Sequence, residues 1–226
     1  MSIASRWRRW VRELRKLLHP GPPPPRTLAI TLSLLAFTGV VIAILVMLGL
    51  RHSGDPSAAR YFGEGRPGNY FSGFQLMVAA VAGGRVALKV GQHPSRSFWW
   101  IIAATMLFLG LDEALGLHED LDVGIHKLMG WHDRRHWLTD HLDDSFVALY
   151  GLMAAVFAER HLERIVRLRW TALLLAVAFV LFVATSVLDF SGAVAATEES
   201  LELAAESLIL SALITAHRDP NLIAPE

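Results

Sequence analysis

Apolar residues in this chain gather into runs far longer than a soluble core needs. Thr27 to Leu50 is 24 residues without a charge, and Trp170 to Leu188 is 19. A hydrocarbon core of ~30 Å is crossed by about 20 residues rising ~1.5 Å each. Four further apolar segments carry charge close to one end, so they depend on neighbours inside a bundle. The pattern predicts an all-α polytopic membrane helix bundle with spans at 27–50, 70–91, 97–117, 142–159, 170–189 and 195–216. No repeat of 20–50 residues is visible.

The segment before the first span has a different period. Trp7, Trp10, Val11, Leu14, Leu17 and Leu18 share one helical face, ringed by Arg6, Arg8, Arg9, Arg12, Arg15 and Lys16. That is a basic amphipathic helix expected to lie among anionic lipid headgroups. Residues 21–25 form a proline-rich spacer behind it, so residues 1–26 read as one cytoplasmic unit, 27–216 as the bundle and 217–226 as a tail. The first apolar run exceeds the h-region of a signal peptide and no A-x-A site follows it.

Composition agrees with a membrane class: 53% hydrophobic residues, 19% charged and no cysteine. The mean hydropathy is +0.40. This excludes a nucleic-acid binder, a disulfide scaffold and a soluble barrel or Rossmann enzyme. Net charge is zero, but the two signs are segregated along the chain. With the N-terminus inside, 14 Lys and Arg fall in inner segments and six in outer loops. The bias predicts a multi-pass inner-membrane protein with both termini cytoplasmic. Trp99, Trp100 and Trp170 then read as an inner interfacial belt, with Trp131 and Trp137 outside.

The acidic residues supply the candidate chemistry. Asp112 and Glu113 end the third span and are followed by His118 and Glu119. Asp143 and Asp144 open the fourth, and Glu199, Glu202 and Glu206 open the sixth. His132, His136 and His141 stand in the loop before the fourth span. Counted up from the cytoplasmic ends, Asp112 and Glu113 lie at about 22–24 Å, Asp144 at about 22 Å, Glu202 at about 21 Å and Gln75 at about 24 Å, one level beneath the outer surface. Glu206 is deeper, about 16 Å from the inner end and near the midplane. At 100° per residue, Glu199, Glu202 and Glu206 share one face.

Carboxylates at such depth cost several kcal/mol each unless paired, protonated or metal-bound. Arg85 and Lys89 belong to the opposite side, so a metal, shared protons or a wet vestibule remains. Oxygen and imidazole ligands without thiolate suit zinc, iron or manganese. The leading expectation is an outward-facing divalent-metal site on Asp112, Glu113, His118, Glu119, Asp143, Asp144, Glu199, Glu202 and Glu206. It would act by Lewis-acid or redox chemistry on a lipid-soluble substrate. One alternative is a structural or assembly subunit, paired with another membrane protein or a second copy. Another is a cation or proton path, which needs a polar stripe reaching the inner face. The inner halves of the first, fifth and sixth spans read as apolar, against that path. Ala80-x3-Gly84 and Ser207-x3-Ser211 read as small-residue pairs for close helix approach.

With L-D-E-x4-H-E at 111–119 closing one span and E-E-x-x-E at 198–202 opening another, the chain resembles an uncharacterised group of bacterial multi-pass membrane proteins, over about residues 70–216. The resemblance implies a shared architecture and no activity. Zinc hydrolases of the alkaline ceramidase and adiponectin-receptor type place histidines on a late span, where this chain has glutamates. Di-iron bundles use paired Glu-x-x-His motifs, and this chain has none.

Overall fold

The computed structural model describes residues 21–53, 59–62, 66–117, 164–190 and 195–223, with isolated positions elsewhere, Phe157 and His161 among them. The described residues are helical, without strands, and form α1 (Pro25–Ser53), α2 (Ala59–Phe62), α3 (Pro67–Lys89), α4 (Arg96–Leu115), α5 (Arg169–Phe190) and α6 (Ala195–Arg218). A 3-10 turn, Pro220–Ile223, follows α6. Five of these helices are long and apolar enough to cross a membrane. Apart from isolated positions, the expected fourth span and the amphipathic N-terminal helix lie outside the described residues.

Helix ends follow local chemistry. α1 begins at Pro25 and α3 at Pro67, because proline at the first helical position gives up an amide that has no intrahelical partner anyway. α4 stops at Leu115 because Gly116 takes a left-handed conformation (φ 64°) and returns its amide to the Asp112 carbonyl. Gly91, at φ 58°, turns the chain from α3 into α4.

The bundle is inside out by the standard of a soluble protein. Leu32, Phe37, Val40, Ile44 and Met47 on α1, and Phe179, Val180 and Val183 on α5, are exposed at mid-helix. Such an apolar girdle is stable only in lipid, where helices satisfy their own backbone. Burial falls instead on α6, of which 67% of the spanning window is covered, against 11% for α1. α6 packs along α5, α3 and α1, and is the hub of the core.

The tightest joint is between the antiparallel α3 and α4. A Cβ on Gly73 would stand 2.8 Å from the Gly110 carbonyl oxygen, and one on Gly110 2.9 Å from that of Gly73. Gly83 likewise sits against Ala103. The close approach is thus made by Gly73, Gly83 and Gly110, whereas Gly84 meets only the Trp100 ring at an ordinary 3.6 Å. The Ala80–Gly84 pair is therefore not the joint, because Gly84 lies 100° round the helix from Gly83.

Two further expectations change. Trp99 is not a belt residue: it is 1% exposed inside the bundle, while Trp100 is 43% exposed. Neighbours on a helix point 100° apart, so only one of the two faces lipid. Nor is the C-terminal half of α6, expected to read as apolar, wholly so, since Ser207, Ser211 and Thr215 are buried along one face of it.

Candidate functional site

Glu206 lies midway along α6, about 17 Å from either end at 1.5 Å per residue. Its side chain is 1% exposed. One oxygen, Oε1, accepts a hydrogen bond from Ser72 Oγ on α3 at 2.5 Å. The other, Oε2, is buried with no partner among the described residues. Ser72 reaches it because positions three apart share a helix face, and that face also carries Gln75.

Gln75 continues the network one residue along α6. Its Nε2 donates to Ser207 Oγ at 2.8 Å and, more weakly, to Thr38 Oγ1 of α1 at 3.3 Å. Thr38 and Ser207 share a further hydrogen bond at 2.7 Å. Ser207 therefore joins three helices rather than only allowing close approach. Interhelical bonds of this kind contribute about 0.6 kcal/mol each, more for the best placed. Their larger effect is to fix the rotation of α1, α3 and α6, because any other rotation strands buried polar groups.

Above this network stand the other carboxylates. Glu202, Glu113 and Glu199 are near enough for their charges to bear on Glu206. Asn69 Nδ2 on α3 donates to Glu113 Oε2 at 3.3 Å, which ties the end of α4 to α3. Three expected site residues, from two helices, thus lie within electrostatic reach of a fourth, Glu206: Glu113, Glu199 and Glu202. Asp112 is buried, but 100° round α4 from Glu113, and is not among the charges that bear on Glu206. His118, Glu119, Asp143 and Asp144 lie outside the described residues, as do His132, His136 and His141. Among the described residues no three His, Asp or Glu side chains stand close enough together to hold a metal ion.

Sequence reasoning reached Glu206 and Gln75 by depth, but not Ser72 or Thr38. A serine or threonine in an apolar helix carries no mark of which neighbour it will meet. The same holds for Ser211 Oγ and Thr215 Oγ1, which are buried towards the other end of α6 with no partner among the described residues.

No curated protein and no solved structure matches the chain. A family model described as a domain of unknown function, DUF8692, matches residues 29–216, which takes in the whole network from Thr38 to Ser207. The chain therefore belongs to the DUF8692 family.

Proposed function

We propose that this membrane protein binds a divalent cation in one half of its bundle, with Glu206 and one of Glu113, Glu199 and Glu202 as the ligands supplied by the described residues. Asp112, His118, Glu119, Asp143 and Asp144 are the residues from which the set would be completed. The supporting observation is Glu206 itself: a buried mid-helix carboxyl with one oxygen on Ser72, the other unpartnered among the described residues, and three more carboxylates bearing on it. Gathering acidic groups in a low-dielectric place is expensive unless positive charge offsets it. Oxygen and imidazole donors suit zinc, iron or manganese. Such an ion would supply Lewis-acid or redox chemistry to a lipid-soluble substrate. Elemental analysis of the detergent-purified protein tests this. Near-stoichiometric metal, lost in Glu113→Gln/Glu202→Gln while the bundle stays folded, supports the reading. Absence of metal from the wild type overturns it.

A second reading is favoured by the hydroxyl line below Glu206. Ser207, Ser211 and Thr215 recur every fourth residue on the buried face of α6, and the last two have no partner among the described residues. A proton or cation passing through Glu206 would use that line towards the basic end of the helix. Flux in proteoliposomes that is abolished by Glu206→Gln supports this path, and flux unchanged in that variant excludes it.

A further inference from the structure

The end of the bundle away from Glu206 holds a cleft of opposite character. It opens where the α3–α4 turn, the residues preceding α5 and the 3-10 turn after α6 meet. His93, Trp99, His161, Arg164, Arg167 and Asn221 all line it. Every polar side chain among these six carries an N–H group. An anion is the complementary ligand.

Three features prepare the cleft for one. Ser95 N–H donates to His93 Nδ1 at 3.2 Å, which makes that nitrogen an acceptor and leaves the proton of the neutral ring on Nε2. Ser95 Oγ also engages His93 Nδ1, at 2.8 Å, and makes no cap to α4, so the first-turn amides there lack a side-chain acceptor from it. The buried indole Nε1 of Trp99 and the Nδ1 of His161 have no hydrogen-bond partner among the described residues. His161 itself packs beside the stacked pair Phe98 and Phe157, with ring centroids 5.5 and 5.2 Å away. The charges that bear on His161 are cationic, Arg164 and Arg160.

We propose that this cleft binds the phosphate of an acidic phospholipid headgroup at the membrane surface. Its place argues for a lipid source over a free phosphate. The cleft sits at the ends of membrane-crossing helices, and the exposed Trp100 and Ile101 of α4 follow directly on Phe98 and Trp99 of its wall. Arginines between helix ends on the basic side are suited to such headgroups. The site is separate from the carboxylate cluster and does not depend on it.

Native mass spectrometry of the full-length protein tests the assignment, with phosphatidylglycerol, phosphatidylcholine or inorganic phosphate titrated in turn. The expected result is retained phosphatidylglycerol, little phosphatidylcholine, and about tenfold weaker phosphatidylglycerol binding in Arg164→Gln/Arg167→Gln. Trp99→Phe removes the N–H and keeps an aromatic ring in the wall, though a smaller one, and leaves both arginines in place, so it serves as the second variant if the double variant misfolds; it should weaken binding severalfold. Equal retention of both lipids, or full retention in folded variants, overturns the proposal. Binding of inorganic phosphate without retention of the lipid overturns the lipid source.

Discussion

At mid-bundle the Glu206 carboxyl is enclosed by α3 and α6, fixed by Ser72, with Gln75, Ser207 and Thr38 bonded together beside it. At the basic end His161 is only half-buried, packs at a tilt against two phenyl rings and shares an open cleft with two arginines. The first site is built by helix faces whose phase the packing enforces. The second is assembled from a turn, a helix approach and a C-terminal segment. The difference teaches where each kind of chemistry tolerates change. A buried network responds to every atom removed, because lipid offers no water to replace a lost bond. An open cleft of charges is solvated when empty and loses little when altered.

The largest expected effect lies in the joint that sets the spacing of α3 and α4. Gly73→Leu places a side chain where a Cβ alone would already stand 2.8 Å from the Gly110 carbonyl. The helices must separate, and overpacking of this kind costs about 3 kcal/mol or more. Unfolding in detergent should show the loss, and an unchanged midpoint would mean that α3 and α4 do not touch there. Ser72→Ala comes next. It leaves Glu206 without its only hydrogen-bond donor among the described residues and should cost about 1–2 kcal/mol. Ser72→Thr, which retains the hydroxyl, should recover part of that loss. Gln75→Leu removes two bonds to Ser207 and Thr38 and should cost about 1 kcal/mol. A similar loss in a Thr38→Val background would show that the two residues do not share one network.

The smallest effect belongs to the basic end. Burial first, and then Arg164 and Arg160, hold His161 below its usual pKa of 6.5. A histidine lowered on folding favours the folded state fully above its unfolded pKa, and that contribution is lost as pH falls through the lowered folded value. The thermal midpoint should therefore drop modestly from pH 7.5 towards acid, and His161→Phe should flatten that slope. An identical slope in the variant would assign the pH dependence elsewhere.

These contrasts also explain what the sequence could tell. Charge-free runs located α1 and α5 to within a few residues, since lipid leaves no other place for them. The misplaced ends are cap effects: Pro25 and Pro67 start helices two or three residues before their expected spans, and Gly116 stops α4 two residues early. Depth found Glu206 because a carboxylate so far from either helix end has few explanations. Phase separated Glu113 from Asp112, and Trp100 from Trp99, only once the neighbours of α4 were known. The cleft was invisible because His93, Arg164 and Asn221 are remote in the chain and ordinary one by one.

Whether the carboxylates around Glu206 take up a cation decides the proposed function. The most direct measurement is thermal unfolding of chelator-stripped, full-length protein during titration with zinc, manganese or ferrous iron, wild type against Glu206→Gln. A ligand at a hundred times its Kd stabilises the folded state by about 2.7 kcal/mol. The wild type should show a saturable rise in midpoint with at least one of these ions, and the variant none. A wild type indifferent to all three, or a variant that rises equally, would contradict the proposed function.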